Sequence, residues 1–155
     1  MTAISLPPAT LHASAARVDG AGVLVRGASG SGKSSLVLAL LMADRLTNRL
    51  ISDDRLIVTA EAGRLYAAAP ETIAGLIEIR GQGIVRLPYV SPEPISLVVD
   101  LEPIERCPRL PGAEDMETII AGAALPRLIL PIGQADGWIR VRAALASWAG
   151  NFHDR

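Results

Sequence analysis

The chain has 155 residues, half of them apolar and a fifth charged, with a formal net charge of −1. That size and a positive mean hydropathy suit one domain with a real core and give no reason to expect disorder. A balanced charge and a pI near 6.1 exclude a nucleic-acid binder driven by phosphate neutralisation, and no apolar run approaches the roughly 20 residues of a membrane span.

Met1 to Thr10 carries no basic residue and contains Pro7-Pro8, so it does not read as a secretory signal. Leu11 to Val18 reads as a first strand, Asp19-Gly20-Ala21-Gly22 as a turn, and Val23-Leu24-Val25 as a buried strand bounded by glycines. A Gly-rich loop follows. Lys33 to Ala43 then forms a helix whose apolar residues surround much of it, which predicts burial on more than one side. Asn48 to Ser52 and Arg55 to Thr59 are β-like, and Glu61-Ala62-Gly63 turns the chain into Arg64 to Ala68. Pro70 to Ile77 suggests a short helix; Ile84 to Val90 and Ile95 to Leu101 suggest strands. Glu102 to Gly112 is Pro-rich and irregular. It contains the single cysteine, Cys107, which cannot form an internal disulfide and has no assigned role; a cytoplasmic protein is the expectation. Arg127 to Ile132 is β-like. From Trp138 on, Val141, Leu145, Trp148 and Phe152 form one stripe on a C-terminal helix, read as core packing ahead of a docking face. The chain therefore reads as one domain over 1–155, of α/β class, with a mixed sheet and a C-terminal helix.

Gly27-Ala28-Ser29-Gly30-Ser31-Gly32-Lys33-Ser34 fits the phosphate-binding pattern GxxxxGK[ST] at every fixed position. Its glycines let successive N–H groups turn toward phosphate oxygens, and the following helix adds its N-terminal dipole. Lys33 supplies a compact charge and Ser34 a hydroxyl for Mg²⁺. Of 15 basic residues, 14 are Arg; the one Lys stands where a phosphate cradle needs an ammonium rather than a planar fork. The strand before the loop and the helix after it are the context that supports the motif. The motif does not choose among kinases, GTPases and mechanical ATPases.

Phosphoryl transfer also needs a metal-anchoring acid and a group that takes the acceptor's proton. Asp53-Asp54, 20 residues after Lys33, ends a β-like run, where catalytic groups collect in open α/β sheets. The two acids, Asp53 and Asp54, can divide the labour, one as base and one toward Mg²⁺. Asp100, at the end of the run Ile95 to Val99, is a rival for the metal-binding acid. The absence of an Asn-Lys-x-Asp run argues against a GTPase. In Ile77-Glu78-Ile79-Arg80-Gly81-Gln82-Gly83-Ile84, period two places Glu78 and Arg80 on one side, either as an ionised metal ligand beside an arginine or as a strand-edge ion pair.

Together the phosphate loop, the run Leu50-Ile51-Ser52-Asp53-Asp54 and the segment Ile77 to Ile84 resemble the catalytic domain of the HPr kinase/phosphorylase family. His12, 15 residues before Gly27, adds to the resemblance, which covers about residues 11 to 153. It implies the short form of the family, without the additional N-terminal domain. It also implies a P-loop kinase fold related to phosphoenolpyruvate carboxykinase and transfer from ATP, with Mg²⁺, to a seryl hydroxyl of the phosphocarrier HPr. Lys33 matches the phosphate-loop lysine, Ser34 and Glu78 the Mg²⁺ ligands, Asp53 the catalytic acid/base, and His12 the histidine that interacts with it. Arg109, in Arg109-Leu110-Pro111-Gly112, matches the catalytic arginine, with Arg106 as its rival. Family members resemble hexamers, so a homo-oligomer is open. The chain departs from the family pattern at Ser35, where an acid is usual, and at Pro131 to Asp136, where a basic loop associated with dephosphorylation is usual. Kinase activity is therefore expected ahead of phosphorylase activity. The alternatives are a small-molecule kinase with the same loop and a non-catalytic ATP-sensing module; Lys33, Asp53 and Glu78 argue against the latter.

Overall fold

The computed structural model describes residues 8–149. Its strands are β1 (Ala9–Leu11), β2 (Ser14–Val18), β3 (Ala21–Arg26), β4 (Arg49–Ser52), β5 (Leu56–Glu61), β6 (Arg64–Ala68), β7 (Leu76–Ile79), β8 (Gly83–Arg86), β9 (Glu93–Glu102), β10 (Glu117–Ile120) and β11 (Ala123–Pro131). Helix α1 (Lys33–Ala43) follows β3, and α2 (Gly137–Ser147) follows β11. Nine strands make one mixed sheet in the order β1-β5-β6-β9-β3-β2-β4, with β11 also on β9 and β10 outside β11; β7 and β8 form a separate ribbon.

The long strand β9 organises this sheet. Its first residues pair antiparallel with β6, while Val98 to Glu102 pair in parallel with β11 and Ile95 to Asp100 with β3. Arg26, the last residue of β3, lies level with Asp100 and Ile129, two residues before β9 and β11 end at Glu102 and Pro131. The loop after β3 therefore emerges at their carboxyl ends, where open α/β sheets place their ligands. The register slips by one residue beside Gly22, which opposes Ile95 while Val23 opposes Leu97. That extra residue turns Ile95 to the same side as Val98. Gly22 is required by close approach, since a Cβ there would lie 2.0 Å from the Pro94 carbonyl oxygen.

Alternation along the strands supplies two cores. Val23, Val25, Leu97 and Val99 face α1 and α2 and pack on Leu36, Val37, Leu40, Val141 and Ala144. Leu24 and Val98 face the other way, onto Leu56, Val58, Leu65 and Leu125. In α1 the buried residues are Lys33, Leu36, Val37, Leu40 and Leu41, a single stripe of helical period. Met42 is 49% exposed, so full burial stays on one side of the helix and not on more than one, as its composition predicts. The stripe on α2 does face the core: Val141 is buried, and Leu145 and Trp148 pack against the helix-side cluster. Phe152 lies outside the described residues.

Three segments differ from their sequence-based expectation. Leu11 to Val18 is not one strand, because the chain bends at His12 between β1 and β2. The expected helix over Pro70–Ile77 is reduced to one 3-10 turn, Glu71–Ile73, since Leu76 to Ile79 pair with β8 instead; tertiary pairing overrides a weak local preference. Strand β10 is an addition: it forms a hairpin with β11, which starts at Ala123 rather than Arg127.

Candidate active site

The phosphate loop runs from Gly27, just after β3, into α1. Gly32 caps the helix with φ 97°, a left-handed conformation that glycine adopts without the Cβ penalty. The Lys33 side chain folds back over the loop: Nζ donates to the carbonyl oxygens of Gly27 at 2.8 Å and Ala28 at 3.2 Å. The residue is 6% exposed and both acceptors are neutral, so no carboxylate among the described residues cancels its charge. A buried, uncompensated ammonium at a helix N-terminus is a site for an anion.

The two acids at the end of β4 point in opposite directions. The Arg55 N–H donates to the Asp53 carbonyl at 2.8 Å and closes a three-residue turn with Asp54 at its centre at φ 68°. This is a strained conformation for a residue with a side chain. Asp53 faces inward and is 7% exposed. Its Oδ1 accepts from Ser34 Oγ at 2.6 Å and Ser14 Oγ at 3.0 Å, and its Oδ2 accepts from the Glu78 N–H at 3.3 Å. Asp54 faces outward, with its side chain 66% exposed, and its Oδ1 lies 2.6 Å from His12 Nε2. The sequence expectation that His12 serves Asp53 is therefore corrected to Asp54. The turn leaves only the second carboxylate on the side where the bend at His12 lies. The Ser14 hydroxyl joins the two acids, donating to Asp53 and accepting from the Asp54 N–H at 2.9 Å.

A cavity of about 230 Å³ collects these groups, lined by His12, Lys33, Ser34, Asp54, Glu78 and Arg80 among others. Glu78 is on β7 and Arg80 in the turn to β8, closed by the Gln82 N–H on the Ile79 carbonyl at 3.0 Å. No ion pair joins Glu78 to Arg80, and neither side chain has a partner among the described residues. The strand-edge ion pair is thus absent and two opposite charges are left facing the cavity. On the other flank of the loop a second cleft of about 340 Å³ has apolar walls from Leu36, Leu101, Leu130 and Trp138, and Arg80 reaches it too.

Other candidates stand apart. Asp100 is 6% exposed and held by Arg26, whose Nε and Nη2 reach its two oxygens at 2.8 and 2.9 Å, and by Arg127 Nε at 2.6 Å. Burial raises its carboxyl's pKa, but hydrogen bonds and charge from Arg26 and Arg127 outweigh this and hold it below the ordinary value. A carboxylate so occupied ties strand ends together and is not an open metal ligand. Arg109 is exposed and lines neither cavity; Arg106 is exposed and pairs with Glu102 at 3.7 Å. The irregular segment after β9 carries both arginines away, and the arginine at the loop is Arg80, whose signal was its alternation with Glu78. Burial, then Glu102 and Glu105, push the Cys107 thiol up, away from the reactive thiolate form. No helix among the described residues is long and apolar enough to cross a membrane.

A mixed sheet with a C-terminal helix, a strand–loop–helix phosphate cradle and acids across from it define a phosphate-loop α/β domain. The model of the HPr serine kinase C-terminal domain family matches residues 6–141, and the chain belongs to that family. It is 36% identical over 137 residues to the HPr kinase/phosphorylase of Geobacillus thermodenitrificans, covering 81% of this chain and 43% of that protein. It is 30% identical over 147 residues to the same-named protein of Mycoplasma mycoides, covering 87% and 46%. The chain thus spans under half the length of these curated relatives. Among solved structures, the Hpr(Ser) kinase/phosphatase from Coxiella burnetii superposes with a TM-score of 0.78 at 25% identity, over 94% of this chain and 99% of that one.

Proposed function

We propose that this domain is an ATP-dependent serine kinase, of the phosphate-loop kind related to phosphoenolpyruvate carboxykinase, that phosphorylates HPr, the protein after which its relatives are named. The observation that carries the reading is the pair Asp53-Asp54, one carboxylate bonded to the phosphate-loop Ser34 and the other open to the cavity that Lys33 and Glu78 also line. A sensor that only bound nucleotide would need neither the outward acid nor its strained turn.

Among the described residues no cluster of three or more His, Cys, Asp or Glu forms a metal cage. The oxygen donors Ser34 and Glu78, which both line the phosphate cavity, fit Mg²⁺, which is held by one or two protein oxygens plus phosphates and water. Ser34 and Glu78 are the residues to hold it, with Asp53 orienting Ser34. When bound, the ion supplies positive charge to the phosphate oxygens. Lys33 and the loop amides hold the phosphates, and the apolar cleft beside Trp138 takes the nucleoside.

The roles of the two acids are exchanged relative to the sequence expectation. Asp53 already accepts three hydrogen bonds. Asp54 is free to accept the seryl proton from the open side, with His12 fixing its orientation. Arg80, not Arg109, supplies charge to the transferring group; such arginines are worth about 10³–10⁵ in rate in other phosphoryl transfers. We read the forward reaction as the one favoured, because Ile132 to Asp136 holds no basic residue.

Incubation with labelled ATP, Mg²⁺ and HPr, beside HPr with its target serine changed to alanine, tests this. Label on the first protein alone is the expected result. Label on neither, with ATP bound, overturns the HPr reading in favour of a small-molecule kinase or a sensor.

A further inference from the structure

We propose that the groove on the outer side of Asp53-Asp54, floored by Ile73, Leu76, Ile77 and Ile84, receives an apolar side chain next to the phospho-accepting serine of a protein substrate. This rests on the kinase reading above. The groove measures about 210 Å³ and includes Asp54 and Glu78, which also line the phosphate cavity. The two acids are therefore the shared wall between the nucleotide side and this groove.

That placement selects the occupant. With phosphates on the loop, in-line transfer brings the acceptor oxygen from the opposite side of the moving phosphoryl group, over Asp54. Whatever carries the hydroxyl then extends beyond Asp54, and the next surface is the groove. A small hydroxylic compound would end at the carboxylates. A serine on a protein surface brings neighbouring side chains with it.

The ribbon supplies the contact. The register of β7 on β8 sets Ile84 opposite Glu78, and directly opposed residues share a face. Ile84 is 72% exposed while Ile77 beside it is 1% exposed. Single exposed apolar residues are ordinary, but this one stands beside an unpartnered acid at the mouth of the cavity. Arg55, exposed and without a side-chain partner among the described residues, borders the same groove. An apolar floor with a charged rim is the make-up of a protein-contact patch.

The test is initial rates of transfer against HPr concentration for the full chain, Ile84→Glu, Ile84→Ser and Ile84→Leu. The expected result is a rise in KM for HPr of about tenfold or more in the Glu and Ser variants, the scale of one lost interface anchor. The affinity for a fluorescent ATP analogue and the melting temperature should stay at wild-type values, with KM restored in Ile84→Leu. An unchanged KM in Ile84→Glu and Ile84→Ser, with wild-type transfer normal, overturns the groove alone. A KM rise that comes with lost nucleotide affinity or a lowered melting temperature in both variants also overturns it. No transfer to HPr by the wild type overturns the kinase reading and the groove together.

Discussion

His12 Nε2 lies 2.6 Å from Asp54 Oδ1, on the open side of a turn whose other carboxylate, Asp53, accepts hydrogen bonds from Ser14 and Ser34. Two adjacent acids with opposite orientations give two separable phenotypes. Asp54→Asn should cut single-turnover transfer by roughly 10²–10⁴, the usual worth of a general base, with nucleotide affinity kept. Asp53→Asn should instead weaken Mg²⁺-dependent nucleotide binding, because the amide has no charge and only one acceptor oxygen for the donors from Ser34, Ser14 and Glu78. Titration of a fluorescent ATP analogue with and without Mg²⁺, beside transfer assays, distinguishes them; the reverse pattern would return the proton to Asp53.

Lys33→Arg keeps the charge but should lose nucleotide affinity by at least about tenfold. A planar fork cannot occupy the narrow position between the Gly27 and Ala28 carbonyls and also reach a phosphate. Wild-type affinity in this variant would show that charge alone suffices.

The Asp100 cluster links stability to pH. Despite burial, Arg26 and Arg127 hold its carboxyl below the ordinary value of 3.8. Folding therefore disfavours proton binding at this group. Its contribution is complete above the unfolded-state value and is lost as the pH falls through the lower folded-state value. Asp100→Asn removes the charge between two arginines and one of the two oxygens that accept from them, and should cost on the order of 3 kcal/mol at pH 7. Thermal melts should show the gap between wild type and variant begin to narrow below about pH 4, where the carboxyl of the unfolded chain takes up its proton, and close only as the folded carboxyl does so at lower pH. A gap constant from pH 7 to 3 would mean that the charge is not what matters.

Gly22→Ala should destabilise by at least about 2 kcal/mol, since its Cβ would lie 2.0 Å from a backbone oxygen that cannot rotate away. A melting temperature lower by roughly 5–10 °C is the expected reading, and an unaltered one would mean that β9 shifts freely beside β3.

Much of the site was legible in the sequence because it is carried by local patterns. GxxxxGK[ST] between an apolar strand and a helix needs only contiguous residues to be recognised, and the lone lysine marks it. Glu78 and Arg80 sharing one side follows from a period of two. The two acids were visible as a pair, but their opposite orientations were not. They depend on a left-handed turn at Asp54 and on Ser14, a residue nearly 40 positions earlier with no motif of its own. The arginine differs for a related reason: Arg109 fits a local string, whereas the position of the β7–β8 ribbon beside the loop puts Arg80, not Arg109, at the cavity.

The sequence by itself determined that this chain holds a phosphate-loop cradle in an α/β domain, and which family it resembles, because those features are written in adjacent residues and their period. The tertiary structure decided which acid faces the cavity, which arginine lines it, and that Asp100 is held by two arginines as a strand clamp. Each of these depends on side chains from distant strands meeting, and spacing along the chain does not encode the direction in which a carboxylate points.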